Sequence, residues 1–179
     1  MTEGAESLQA VGGNTSIKLA ELTLASAQAV LEIGSIAAGF RALEVHFQTW
    51  GVTSNAGDGL RAYFNGDRGN NYEGQDWYAV GTTVGGGRYT QTQAILGDHA
   101  TSLLYMSSGV LTIHNYDKTD RYKHWISQMG GYYSGGQGCL TNTGSGYWKN
   151  TAALDRIALF SGNGSNLGAG SSMAIYGVR

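Results

Sequence analysis

The side chains best suited to chemistry crowd one Gly/Asn-rich segment, where Asn65, Asp67, Asn71, Glu73 and Asp76 lie close together in the chain. Oxygens at Asn65, Asp67, Asn71 and Glu73 are what a hard cation such as calcium collects. Asp67, Glu73 and Asp76 supply the carboxylates that could flank a glycosidic bond. Neither chemistry is favoured by the spacing. Gly69 stands where a calcium loop needs a ligand, and the pattern is not that of an EF-hand. A catalytic carboxylate pair projects from strands into a cleft, whereas these three acids share one loop. The same residues suit Asx turns, in which Asn and Asp side chains bond nearby backbone. Asn65, Gly66, Asp67, Gly69 and Tyr72 are therefore expected to form a structural turn, with no metal and no cofactor.

Other constellations are no stronger. His46, His99, His114 and His124 contain no His-x-His or His-x-x-x-His pair that would place two imidazoles on one face. His114 and His124 are spaced to meet across a hairpin, and a cross-strand pair is the expectation. Gly85-Gly86-Gly87-Arg88 lacks the Gly-Lys-Ser/Thr ending of a phosphate loop and reads as a hairpin tip. There is no Gly-x-Ser-x-Gly nucleophile elbow. Cys139 is the one cysteine, which excludes an internal disulfide or a thiolate zinc cage. These absences point away from an enzyme.

Composition narrows the partners. A net charge of −2 is too balanced for a surface that binds nucleic acid through its phosphates. The longest apolar stretch, residues 25–40, is broken by Gln28, Glu32, Gly34 and Ser35, so no membrane-spanning segment is expected. The first residues have no basic region before an apolar run, so no secretion signal is expected either. Eleven Tyr and four Trp against four Phe favour side chains with an apolar body and a polar tip. Tyr132, Tyr133, Tyr147 and Trp148 are the candidates for a binding surface, on which the CH-rich face of a sugar could stack. Trp50, Trp77, Trp125 and Trp148 are also explained as core or subunit-contact rings, which their size favours.

The elements that must position these residues read as short strands. Leu43, Val45 and Phe47 alternate with Glu44, His46 and Gln48, and the same period of two pairs Leu22 with Leu24 and Leu31 with Ile33. A helix over 19–36 is disfavoured by its Thr, Ser and Gly interruptions. Further strands are expected at 60–64, 77–84, 102–106, 110–115, 122–132, 139–143, 154–160 and 173–178. Gly/Asn/Asp turns separate them. About ten strands with no long helix between them predict an all-β fold, an antiparallel jelly-roll-like β-sandwich. Residues 1–16 are small and polar and read as a flexible N-terminal arm; 17–179 form a single β-sandwich domain.

The tract Phe64-Asn65-Gly66-Asp67-Arg68-Gly69-Asn70-Asn71-Tyr72 resembles the signature of a β-sandwich domain found in tailed-phage virion structural proteins, described as tail fibre, minor tail or decoration proteins. Three further tracts match in order. These are Leu43–Phe47; Leu111-Thr112-Ile113-His114-Asn115-Tyr116 with Lys123; and Tyr147-Trp148-Lys149 followed by Ala153–Ile157, Gly170-Ser171 and Ile175-Tyr176-Gly177-Val178. The resemblance implies a non-enzymatic virion protein, assembled in the host bacterial cytoplasm. It would be an accessory subunit such as a capsid decoration or cement protein, or a tail fibre or tip. It also implies contacts with other virion proteins and a homo-oligomer, with three-fold assembly preferred. A carbohydrate- or receptor-binding module at a tail tip is the alternative, and a polysaccharide-degrading sandwich the third reading. No catalytic residue is carried over, because the shared positions are turn formers and core strands.

Overall fold

A computed structural model describes residues 15–53, 59–98, 103–133 and 138–179. Twelve strands follow in chain order: β1 (Ser16–Thr23), β2 (Val30–Ile33), β3 (Ala42–Thr49), β4 (Gly59–Phe64), β5 (Tyr72–Val80), β6 (Thr83–Gln91), β7 (Ala94–Asp98), β8 (Ser107–His114), β9 (Lys123–Tyr133), β10 (Gly138–Trp148), β11 (Ile157–Ser161) and β12 (Ser172–Val178). The arm expected over 1–16 lies outside the described residues except for its last two, and Ser16 already belongs to β1.

Two antiparallel sheets form the sandwich, one ordered β1-β12-β3-β8-β9-β10-β5-β6 and the other β2-β11-β4-β7. The pairing is nested: β1 with β12, β2 with β11, β3 with β8, and β4 with β7. That nesting is a long antiparallel ribbon rolled up on itself, the topology of a jelly roll. The remaining four strands are two inserted hairpins, β5–β6 between β4 and β7, and β9–β10 between β8 and β11. Both join the large sheet beyond β8 and double its width.

Alternation does what the sequence predicts in β3, where Leu43, Val45 and Phe47 are buried while His46 and Gln48 are exposed. Their inward faces meet Leu111, Ile113, Trp125, Met173 and Ile175 of the large sheet and Leu31, Phe64, Leu96, Ile157 and Leu159 of the small one in a single core. Full burial of each such side chain contributes roughly 1.5–3 kcal/mol. No α-helix occurs among the described residues.

Three parts of the expected pattern differ. In the first, the strand expected over 77–84 is the end of β5 and the start of β6, parted by a turn. Gly85-Gly86-Gly87 is not a hairpin tip but the middle of β6, and the turn falls at Gly81–Thr82. The glycines serve facing rings. A Cβ on Gly85 would sit 2.5 Å from the Tyr78 ring directly across the pair, and one on Gly74 would meet the Tyr89 hydroxyl in the same way. Bare backbone lets each ring lie flat over its neighbouring strand. Second, the expected strand 102–106 contains the 3₁₀ turn Leu103–Tyr105. Third, Leu22 does not share Leu24's buried face. A β-bulge between Lys18 and Ala20 lets both Leu19 and Ala20 pack on the core, whereas Leu22, farther along this outermost strand, is exposed and Leu24, beyond the end of β1, is buried.

A second bulge, between Leu60 and Arg61, leaves Leu96 of β7 without a facing residue. Its carbonyl accepts the Ser127 hydroxyl at 3.0 Å, and the next amide but one, Asp98 N, donates to Asn142 Oδ1 at 3.3 Å. β7 is thereby stitched to β9 and β10 across the sandwich. Gly97 between them has φ +140°, and a Cβ there would lie 2.7 Å from both Met129 Sδ and Asn142 Cβ. Gly97→Ala is expected to destabilise the fold by about 2 kcal/mol or more through overpacking and strain. Gly87→Ala, where a Cβ meets only Asp76 Oδ1 at 3.6 Å, should stay within about 0.5 kcal/mol of the parent. Denaturant midpoints of the two variants test the bulge directly; equal midpoints would remove it as a constraint.

Candidate functional site

The tract after β4 forms a hydrogen-bonded knot. Asn65 (φ 54°) and Gly66 (φ 67°) both take left-handed backbone, which Asn and Gly tolerate best. The turn closes with Asp67 N donating to Phe64 O at 3.0 Å. The Asn65 side chain reaches outward along the chain: Nδ2 donates to Ala153 O at 2.7 Å, and Oδ1 accepts from Asp155 N at 2.9 Å and Arg156 N at 3.2 Å. Asp67 gathers donors on both carboxylate oxygens. Its Oδ1 accepts from Gly69 N at 2.8 Å, and its Oδ2 accepts from Asn71 Nδ2 at 2.9 Å and Trp148 Nε1 at 2.7 Å. The Tyr72 hydroxyl accepts from Phe64 N at 3.0 Å and donates to Asp67 O at 3.1 Å. Burial pushes the Tyr72 phenol upward, so it stays a donor. For Asp67, partial burial is the largest single influence and acts upward, but the hydrogen bonds from Trp148, Asn71, Gly69 and Asn150 together hold the carboxyl below its ordinary value.

A second knot lies beside the first. Lys123 is fully buried, and its ammonium donates to Lys118 O (2.5 Å), Arg121 O (3.0 Å), Thr151 O (2.8 Å) and Asn150 O (3.4 Å). The same nitrogen lies 6.0 Å from the centre of the Trp148 ring. Burial draws its pKa down, against the opposing charges of Asp120 and Asp117. Tyr116, also buried, donates to Ala37 O at 2.6 Å and accepts from Phe40 N at 3.3 Å, while Tyr116 O accepts Leu154 N at 2.7 Å. The tracts Phe64–Tyr72, Asn115-Tyr116 with Lys123, Trp148-Lys149 and Ala153–Ile157 are thus brought together at one end of the sandwich.

The five oxygen-bearing side chains of this segment do not converge on a common point. Asn65 Oδ1 faces the 155–156 backbone, and both Asp67 oxygens face N–H donors. Glu73 lies on the other side of β5, pairing with Arg88 at 2.5 Å and Lys149 at 3.6 Å. The hydrogen bond from Arg88 and then its charge hold the Glu73 carboxyl below its ordinary value. Asp76 Oδ1 accepts from Gly87 N at 3.1 Å. Among the described residues no cluster of three or more His, Cys, Asp or Glu side chains is arranged to hold a metal. His114 and His124 stack across the β8–β9 pair with centroids 5.9 Å apart, and His124 Nε2 lies 3.1 Å from Ser145 Oγ.

The aromatic candidates divide sharply. Trp148 is fully buried and offers no binding surface, because its parity on β10 turns it inward onto Asp67 and Phe64. Tyr147, one residue earlier, faces outward at 51% exposure. Tyr132 is half-buried and stacks on Tyr105 with centroids 4.2 Å apart. The Tyr133 side chain lies outside the described residues. Trp125 is buried, Trp50 donates from Nε1 to Ala169 O at 3.0 Å, and Trp77 stands out from the large sheet at 50% exposure. The burial of Lys123 was not legible in the sequence, since a lone lysine after a polar loop carries no sign of its four carbonyl partners.

Fold and site together define a jelly-roll-like β-sandwich whose large sheet is widened by two inserted hairpins. No protein-family profile, curated protein or solved structure matches the chain.

Asp67→Asn is expected to cost about 2 kcal/mol at pH 7, because it turns an acceptor of N–H groups into a group with its own N–H donors. The sign with pH follows from the lowered folded pKa. The carboxylate's contribution is present above the unfolded value of about 3.9 and is lost as pH falls through the lower folded value. The gap between parent and variant should therefore close below about pH 4. Chemical denaturation at pH 7, 5 and 3 measures it, and equal stability at pH 7 would remove Asp67 as the centre of the knot. Lys123→Met, which leaves four carbonyls without their donor, is expected to lower stability by about 2 kcal/mol or more in the same assay.

Proposed function

We propose that the protein is a non-enzymatic structural protein of a tailed-bacteriophage virion, an accessory jelly-roll subunit of the decoration, cement or tail-tip kind. The observation that carries this reading is the destination of the tracts on which the virion resemblance rests. Asn65, Asp67, Tyr72, Tyr116, Lys123 and Trp148 direct their polar atoms into the two knots, where each bonds protein groups. Residues engaged in this way hold an architecture and do not present a nucleophile or base to a substrate. The widened large sheet supports the same reading, since it gives a small subunit a broad face to set against a larger assembly. The carboxylates Asp67, Glu73 and Asp76 are held by separate donors, which gives the polysaccharide-degrading reading no support.

In this reading the chain self-associates in a closed ring, for which the resemblance favours three copies. Residues 1–15 attach it to other virion proteins. Light scattering on the purified protein is expected to report a trimer, and particles purified from the encoding phage are expected to carry the protein on their surface, visible by antibody labelling in electron microscopy. Deleting residues 1–15 should leave the oligomer folded and abolish its attachment to particles. Purified particles devoid of the protein would overturn the proposal.

A further inference from the structure

Along the outward face of β5 and β10 runs a shallow groove, formed by two adjoining hollows of ≈ 270 and ≈ 470 Å³ that share Gln75 and Ser145. Its shape follows from side-chain size at consecutive positions of one face. In successive cross-strand rows stand Tyr147 beside Glu73, Ser145 beside Gln75, and Thr143 beside Trp77. Gly86 of β6 lies beyond Trp77 and leaves the backbone bare. Large rings therefore close the two ends, and hydroxyl and amide groups floor the middle. From the register, four residues along the strand and one strand across, Tyr147 and Trp77 are separated by about 14 Å.

We infer that this groove binds a neutral oligosaccharide, with Trp77 and Tyr147 stacking on sugar rings at its two ends and Gln75, Thr143 and Ser145 bonding hydroxyls between them. Three observations select that ligand. The exposed rings are a Trp and a Tyr, at 50% and 51% exposure on a sheet face, and flat CH-rich sugar faces suit such platforms. The Gln75 amide and the Thr143 hydroxyl enter no side-chain hydrogen bond among the described residues, so their donors and acceptors remain for a ligand. The charges balance: Glu73 and Arg88, the charged side chains of this face that line the groove, are paired with each other. A cleft without net charge has no preference for an anionic or cationic ligand. The length between the rings suits several linked sugars better than one. This site goes beyond the assembly role, and of the surface expected at Tyr132, Tyr133, Tyr147 and Trp148 it keeps Tyr147 alone and adds Trp77 of β5.

The test is a binding screen of the full chain on a glycan array of neutral oligosaccharides, followed by tryptophan-fluorescence titration with the best ligand. Trp77 is the exposed indole in the groove while Trp125 and Trp148 are buried, so a ligand stacking there changes the emission. Binding is expected for chains of several neutral sugars, with little for monosaccharides. Trp77→Ala and Tyr147→Ala are each expected to weaken binding about tenfold or more, at unchanged melting temperature because both side chains are exposed. Tyr122→Ala, at a similarly exposed ring outside the groove, should bind as the parent does. Absence of binding to any neutral oligosaccharide on the array would overturn the inference. So would binding that survives both groove substitutions, or a Trp77→Ala variant that loses attachment to particles while the parent binds no glycan, which would make the groove a protein contact. Particle association of the parent, measured separately, reports on the virion role whatever the glycan result.

Discussion

The Trp148 indole joins a buried cation to a carboxylate: its N–H reaches Asp67 at 2.7 Å, and the Lys123 ammonium lies 6.0 Å from its ring centre. Taking an ammonium out of water costs several kcal/mol unless it is fully hydrogen-bonded. Lys123 meets that demand with peptide carbonyls from two loops, which must both adopt the conformations that bring those carbonyls inward. Asp67 makes a matching demand on Gly69, Asn71 and Trp148. Neither group can be satisfied unless the turn after β4, the β8–β9 connection and the segment after β10 are simultaneously in place. One end of the sandwich therefore forms as a unit, and β4, β9 and β10 leave it with their relative heights already set.

Topology explains why such a fastening is needed. A plain jelly roll nests its strands in pairs, and each connection is constrained by the ribbon it belongs to. Here β5 and β10 come from two different insertions, yet they pair over their whole lengths, Tyr72 with Trp148 at one end and Val80 with Leu140 at the other. No short loop joins them. Their register is fastened at one end by a backbone bond, Lys149 N donating to Asn71 O at 2.7 Å immediately beyond the ladder, and by the Asp67–Trp148 side-chain bond beside it. Farther along, β7 packs under the extension through Ser127–Leu96 O and Asp98 N–Asn142.

Much of this was legible in the sequence where one face of a strand is buried and the other is wet. β3 follows its alternating pattern residue for residue, and β2, β4, β8 and β12 begin and end close to where periodicity places them. The failures have physical causes. Glycines at 85–87 look like a turn because local chemistry cannot reveal that Tyr78 lies across one of them. Leu22 reads as core because periodicity cannot show that β1 is the outermost strand of its sheet and ends before Leu24. Trp148 reads as a surface ring because Trp suits both a core and an interface, and the deciding fact, an acceptor at Asp67, lies far away in the chain. The turn residues Asn65, Gly66 and Gly69 were legible as turn formers, but not the loops they tie together.

The knot and the groove sit on the same two strands, and this links architecture to recognition. In β10 the buried positions Asn142, Gly144, Gly146 and Trp148 alternate with Thr143, Ser145 and Tyr147. Because side chains alternate strictly along a strand, a slip of β10 by one residue would turn Trp148 outward and draw Tyr147 and Ser145 into the core. The bond from the Trp148 indole to Asp67 opposes that slip at the end of the strand. Glycines at 144 and 146 remove any side chain that would resist it from the middle: a Cβ at Gly146 would meet Glu73 O at 2.3 Å and Trp125 at 2.7 Å. Those two positions must face inward, and Trp125 fills the space they leave. The inward face therefore fixes which residues look outward, and the spacing of Tyr147 from Trp77 follows from the fastening at Asp67 rather than from any contact within the groove.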